Sequence, residues 1–244
     1  MCFVLAIYQV VPSWPLIVAA NRDEQRSRPS SPPHRWTADP PLWAGRDEVA
    51  GGTWLGINSR GLLAAVTNRR DGGAADRSLP SRGQLCLSAL QQSTPSAARA
   101  FVEGELATRR HNPFNLLCAS VHEGWVTTWR GDQQALARGV HVLTNHGDLD
   151  DATQPAVLRA HAAVAAIDLA AEPLASVLAA LGRLCADTTE PGPICRPGGA
   201  AGTVSSSLIA MDPKGAVAAY WHAEGPPSSH AYEPIDLTLP APVG

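Results

Sequence analysis

Two apolar runs near the start of the chain, residues 2–9 and 16–20, lack any polar alternation. A strand with one wet face alternates apolar and polar residues, so unbroken runs of this length read as strands buried on both faces. Between them, Val11-Pro12-Ser13-Trp14-Pro15 is turn-like, so the two strands form a hairpin. If residues 11–15 are the loop, Val10 pairs with Leu16, Val4 faces Arg22, Phe3 faces Asp23 and Cys2 faces Glu24. A slip of two residues is possible and still leaves the polar cluster Asn21-Arg22-Asp23-Glu24 beside the start of the chain.

The rest of the chain falls into blocks. Residues 26–43, with Pro29, Pro32, Pro33, Pro40 and Pro41, read as an extended surface loop. Residues 53–58 and 62–68 form a second hairpin across Ser59-Arg60-Gly61, which puts Gly51-Gly52 beside Asn68. A polar loop over 69–81 leads to helices over 82–92 and 95–106, the second capped by Thr94 with Pro95 at its first position. A third hairpin (114–122 and 125–130), a strand (140–145), two helices (155–167 and 173–186) and a Pro/Gly-rich loop follow. Residues 203–211 and 216–222 make a closing hairpin. Strands and helices segregated in this way imply an α+β fold, with antiparallel sheets covered by helices. Nothing suits a linker, so residues 1–244 are read as one domain.

Charge excludes several functions. Lys and Arg number 19 against 22 Asp and Glu, a net of −3, so no polybasic nucleic-acid surface is expected. The Ala-rich stretch 155–181 is broken by Arg159, His161, Asp168 and Glu172, so no stable membrane insertion is expected. Five cysteines without a Cys-x-x-Cys pair, and no visible secretory signal, fit a cytoplasmic protein with free thiols. Cys86, Cys118 and Cys185 read as buried filler. The scattered histidines and the Gly51-Gly52 and Gly198-Gly199 pairs lack metal or phosphate-loop spacing, so no metal or cofactor is expected. The oligomeric state is left open.

Cys2 carries the clearest chemistry. Initiator Met is normally trimmed before a small residue, which would leave Cys2 with a thiol and an α-amine on one residue. The amine's reference pKa is about 7.7–8.0, so it is a usable base near neutral pH, and an N-terminal amine can activate its own nucleophile. Charges at a strand end are ordinarily a solvated turn. Beside Cys2, Arg22 and Asp23 can instead orient the thiol and tune its pKa. Asn68 and Asn145 each end an apolar strand in a Thr-Asn pair, and their amides suit an oxyanion.

These residues carry a resemblance. Met1-Cys2, Ala19-Ala20-Asn21-Arg22-Asp23-Glu24 with Arg28-Pro29, and Gly51-Gly52-Thr53-Trp54-Leu55-Gly56-Ile57 resemble the NRDE family, also called the Transport and Golgi organisation 2 family. The likeness continues through Thr67-Asn68, Ser81-Arg82-Gly83, Phe114-Asn115-Leu116, Leu143-Thr144-Asn145 and Ser205-Ser206-Ser207. The family is similar to the N-terminal-nucleophile (Ntn) hydrolases, in particular penicillin V acylases and bile-salt hydrolases. The resemblance implies a four-layer αββα sandwich and an amidohydrolase acting on a small-molecule C–N bond. It implies Cys2 as nucleophile, Asp23 in support, and Asn68 and Asn145 at the oxyanion. Arg22 is expected to help position Cys2, with Gly52, Thr53, Trp54, Val204 and Ser205 around the ligand. A non-catalytic carrier or trafficking role for haem or lipid, suggested for eukaryotic members, is the alternative. Two positions depart from the pattern. Ala20 stands where relatives carry Arg, and Val204 where family members commonly have Arg after Gly-Thr. The sequence therefore predicts that a cation near the nucleophile is missing, with an apolar pocket wall and a preference for neutral acyl groups.

Overall fold

The computed structural model describes residues 2–70 and 75–238. Met1, whose removal the sequence predicts, and residues 71–74 of the polar loop lie outside the described residues.

The two apolar runs become β1 (Phe3–Val11) and β2 (Trp14–Gln25), paired antiparallel. Phe3, Leu5, Ile7, Ile17 and Ala19 face one core, while Val4, Ala6, Tyr8, Leu16 and Val18 face another. Both faces are interior, which is why polar alternation is absent. The register is the one slipped by two: Phe3 pairs with Asn21 and Val4 with Ala20. The chain turns over Pro12 and Ser13 alone, and a bulge between Tyr8 and Val11 absorbs the odd residue, with Gln9 at φ 55°. Carried one residue further, this register brings Cys2 level with Arg22 rather than Glu24.

The first sheet runs in the order β10 (Gly139–Thr144), β1, β2, β11 (Ala201–Met211), β12 (Val217–Ala223) and β13 (Glu233–Pro234). The second runs β3 (Ser30–Trp36), β4 (Leu42–Asp47), β5 (Leu55–Asn58), β6 (Leu63–Asn68), β7 (Phe114–Ala119), β8 (Gly124–Thr128) and β9 (Gln133–Ala135). The stretch expected as a surface loop therefore holds β3 and the start of β4. Pro32 and Pro33 are tolerated because β3 is an edge strand whose register breaks between Ser31 and His34.

Three cores separate four layers. Helices α3 (Pro155–Ala165) and α4 (Leu174–Cys185) cover the first sheet through Val157, Ala160, Leu178 and Leu181. The two sheets meet over Val4, Val18, Leu55, Ile57, Leu63 and Leu117. Helices α1 (Arg82–Leu90) and α2 (Pro95–Thr108) cover the second sheet, setting Leu85, Leu90 and Val102 against Leu62, Phe114 and Leu116. The expected αββα sandwich is thus present, and Thr94 caps α2 by accepting the Ala97 N–H at 3.1 Å. All five cysteines are free and buried. Among the described residues, no helix is long and apolar enough to cross a membrane.

At one end of the sandwich the sheets are tied together. Thr67 donates its hydroxyl to the Thr144 carbonyl at 3.4 Å, and the Arg70 N–H donates to the Asn145 carbonyl at 2.9 Å. The two Thr-Asn strand ends thus meet beside Cys2.

Candidate active site

Cys2 lies just before β1 and is 7% exposed. Its backbone N–H donates to Asn145 Oδ1 at 2.8 Å, and its thiol approaches the Asp23 carbonyl at 3.6 Å. A cleft of about 60 Å³ opens at this residue. Of the ten residues singled out from sequence, Cys2, Arg22, Asp23, Thr53, Trp54 and Asn68 line it. Glu24, Asp47, Val66 and Gly83 complete the wall, and none of these four was singled out for the site.

Arg22 is 5% exposed, so its charge must be met by the protein. Its guanidinium lies 4.2 Å from the Trp54 ring centroid, donates to Ser30 Oγ at 3.1 Å and stands 4.0 Å from Asp47. Asp47 in turn accepts from Arg28 at 2.8 Å. Burial pulls the Arg22 pKa down while Glu24 and Asp47 support its charge. The cation expected to be missing beside the nucleophile is therefore supplied by β2 itself. Burial likewise pulls down the pKa of Arg82, at the start of α1, and a thiolate at Cys2 would support its charge. Burial pushes the Cys2 thiol up, while the Arg22 charge and the Asn68 backbone N–H act against that rise.

Asp23 is held by a residue the sequence reading passed over. Thr203, fully buried, donates its hydroxyl to Asp23 Oδ1 at 2.7 Å. Thr203 Oγ1 in turn accepts the Arg196 N–H at 2.9 Å. Thr203 pairs with Asp23 across β11 and β2, and Ser205 pairs with Arg22, so Val204 is the extra residue of a bulge. Val204 and Ser205 are not part of the cleft wall, contrary to expectation. The only sequence signal for Thr203 is its place in Gly202-Thr203-Val204, beside the position where relatives carry Arg.

Gly52 does not line the cleft either. Its Cα lies against the Gly83 backbone, where any Cβ would collide, and the neighbouring Thr53 N–H donates to the Gly83 carbonyl at 3.0 Å. Gly52 therefore seats the start of α1 against the cleft. Asn145, buried at 3% exposure, stands behind Cys2 rather than in the cleft wall. Asn115 is fully buried and holds the chain beyond β10, donating to the carbonyls of Thr144 at 3.4 Å and Gly147 at 3.1 Å.

The family profile described as Transport and Golgi organisation 2 matches residues 1–189. The chain belongs to this family. Transport and Golgi organization protein 2 homologs of Bos taurus and Homo sapiens are each 36% identical over 143 residues, 53% of this chain and 50% of the relative. The chain thus spans about half the length of the curated relatives it matches. Solved structures extend the likeness to the whole fold of this family member. An N-acylethanolamine-hydrolyzing acid amidase ortholog of Caenorhabditis elegans superposes with TM-score 0.61 at 13% identity, over 88% of this chain and 93% of that one. Penicillin V acylase of Agrobacterium tumefaciens gives 0.61 at 15%, over 97% and 86%. A conjugated bile acid hydrolase of Clostridium perfringens gives 0.59 at 12%, over 97% and 92%. At such identities the likeness is one of fold, and the fold is that of Ntn amidohydrolases.

Proposed function

We propose that the chain is a cytoplasmic, single-domain Ntn amidohydrolase that cleaves a non-peptide C–N bond of a small molecule, with Cys2 as nucleophile after Met1 is removed. The observation that carries this reading is the 2.8 Å bond from the Cys2 nitrogen to Asn145 Oδ1, on a residue whose thiol borders a cleft. A freed α-amine at that position keeps the same acceptor. One N–H is then engaged by Asn145, and the lone pair is free to take the thiol proton.

The reaction follows from those positions. The amine removes the proton from Sγ, and the thiolate attacks the carbonyl carbon. Charge gathers on the carbonyl oxygen, where the Asn68 amide in the cleft wall is the proposed donor. The ammonium returns its proton to the departing nitrogen as the C–N bond breaks, and water then hydrolyses the thioester. Asp23, fixed by Thr203, and Arg22, stacked on Trp54, position the thiol. The sequence reading gave Asn145 an oxyanion role; its Oδ1 contact favours holding the amine instead. About 60 Å³ holds only a few water molecules, which suits a small acyl head better than a haem macrocycle enclosed at this cleft.

The test is intact mass before and after a thiol-reactive amide probe. A chain beginning at Cys2 that gains one adduct, lost in Cys2→Ala, supports the hydrolase. Equal labelling of Cys2→Ala, with haem or lipid binding unchanged, favours the carrier.

A further inference from the structure

A second cavity, about 240 Å³, lies where the chain leaves β10 and enters α3. His146, Gln154 and Arg196 supply its polar side chains; among the described residues no carboxylate lines it, although Asp151 accepts from Gln154 at 3.5 Å and Glu190 from the Gly192 N–H at 3.2 Å. It shares no lining residue with the cleft at Cys2, yet two of its residues are bonded into that site. His146 directly follows Asn145, the acceptor of the Cys2 nitrogen. Arg196 exchanges backbone bonds with Thr203, its N–H donating to Thr203 Oγ1 and its carbonyl accepting the Thr203 N–H, both at 2.9 Å. Thr203 carries Asp23. The cavity is therefore linked to Cys2 through Asn145 on one side and through Thr203 and Asp23 on the other, while the Trp54 cleft borders the thiol.

Arg196 and His146 are both exposed at the mouth of the cavity, so a ligand there would compete with water for them. Around the site, Arg22 and Arg28 reach Asp47, Arg159 reaches Asp187, and Arg26 and Arg82 donate to backbone carbonyls. Among the described residues, the Arg196 guanidinium and the His146 ring have no hydrogen-bonded or ionic partner. Burial lowers the His146 pKa, and Arg70 and Arg196 lower it further, so all three groups share one basic neighbourhood. The N-cap of α3, Gln154, makes no side-chain bond to the helix, and that end of α3 adds partial positive charge. The cavity and the Arg196 guanidinium carry the inference, with the His146 ring as a neutral donor beside it; the helix end only adds to them.

We propose that this cavity binds an anionic group, phosphate or carboxylate, at the end of the molecule whose amide is cleaved at Cys2. The proposal rests on the hydrolase reading and adds a substrate class to it. Arg196 offers two parallel N–H donors to such a group, and His146 a third. The anion anchors the ligand while the acyl head enters the Trp54 cleft.

The test titrates the purified protein with inorganic phosphate and, separately, with acetate. The His146 ring resonances are followed by NMR, and Cys2 alkylation by iodoacetamide is measured alongside. Phosphate or acetate should saturate a single site and raise the pH at which His146 titrates, and the tighter of the two names the ligand group. Arg196→Gln should weaken that binding about tenfold or more. Arg60→Gln, on the remote β5–β6 turn, should leave it unchanged. A His146 signal that ignores both anions, or an Arg196→Gln protein that folds and binds as the parent does, overturns the anion site. A responsive His146 with inert Cys2 instead overturns the hydrolase reading and leaves the anion site standing.

Discussion

Thr203 and Asp23 face each other across β11 and β2, and the Thr203 hydroxyl donates to Asp23 Oδ1 at 2.7 Å. The Asp23 carbonyl sits over the Cys2 thiol, so this side-chain bond fixes the backbone against which the nucleophile rests. Thr203→Val keeps the volume and removes the donor. A half-buried carboxylate oxygen and the Arg196 N–H then each lose a partner, which should cost about 1–3 kcal/mol in stability. Cys2 alkylation should slow as well, and Thr203→Ser should restore both. Urea denaturation and iodoacetamide kinetics on the three proteins check this. A Thr203→Val variant as stable and as reactive as the parent would remove Thr203 from the account.

The proposed base has a pH signature. The α-amine works only when unprotonated, so amide cleavage should rise with pH through the amine's titration, about 7.7–8.0 when unperturbed, and level off above it. Cys2→Ser should retain at most slow turnover. Turnover that falls across this range, or that persists in a protein retaining Met1, excludes the amine as base.

The α+β class, the four helices and most hairpins were legible because apolar runs and caps are local signals. Residues 2–9 and 16–20 announced double-sided burial, and Thr94-Pro95 announced a helix start. The register of β1 on β2 was not fixed, because it depends on a bulge at Gln9 that leaves no mark in composition. The strand β3 was hidden by Pro32 and Pro33, residues that only an edge position tolerates. At the site, Cys2 and the Asn21-Arg22-Asp23-Glu24 cluster were legible from their shared place at the start of the hairpin. Thr203 was not, since its role comes from pairing with a strand about 180 residues away in sequence.

Val204 tests how the bulge alters specificity. The sequence predicts that Val204→Arg would bring anionic ligands into the nucleophile pocket. The bulge instead leaves Val204 outside the cleft wall. A folded Val204→Arg protein should therefore keep the parent's ratio of neutral to carboxylate ligand binding at Cys2. A shift toward carboxylates, measured with matched ligands and with Tm as the folding control, would put this strand back in the pocket.

Arg22 should act through charge and shape together. Its charge holds the Cys2 thiol pKa down against burial, so Arg22→Met should move the pH midpoint of Cys2 alkylation upward. Asp47 keeps Arg28, so the variant should still fold. Arg22→Lys should restore the charge only in part, because a compact ammonium cannot both stack on Trp54 and reach Ser30. A midpoint unchanged in Arg22→Met would show that this guanidinium does not tune the thiol.

His222 sets an acid limit on the fold. It is 5% exposed in β12, with Nδ1 paired to Ser207 Oγ at 2.9 Å, and burial pushes its pKa from 6.5 down to about 4. Above about pH 6.5 the ring is neutral in folded and unfolded chains alike, and it has no effect on the pH dependence of stability. Between those two values the unfolded chain binds a proton that the folded chain refuses, so stability falls as pH drops through this window. The gap bounds the loss at about 3 kcal/mol. His141 runs the other way. Its bond to Asp150 raises its pKa, so its contribution is present in acid and fades as pH rises through its folded value. The two histidines are separated by His222→Gln, which removes only the acid-side loss. Urea denaturation at pH 7 and pH 4.5 should show the parent losing more stability than His222→Gln between the two pH values. Equal losses in both proteins would mean that His222 is protonated within the fold and that the acid sensitivity lies elsewhere.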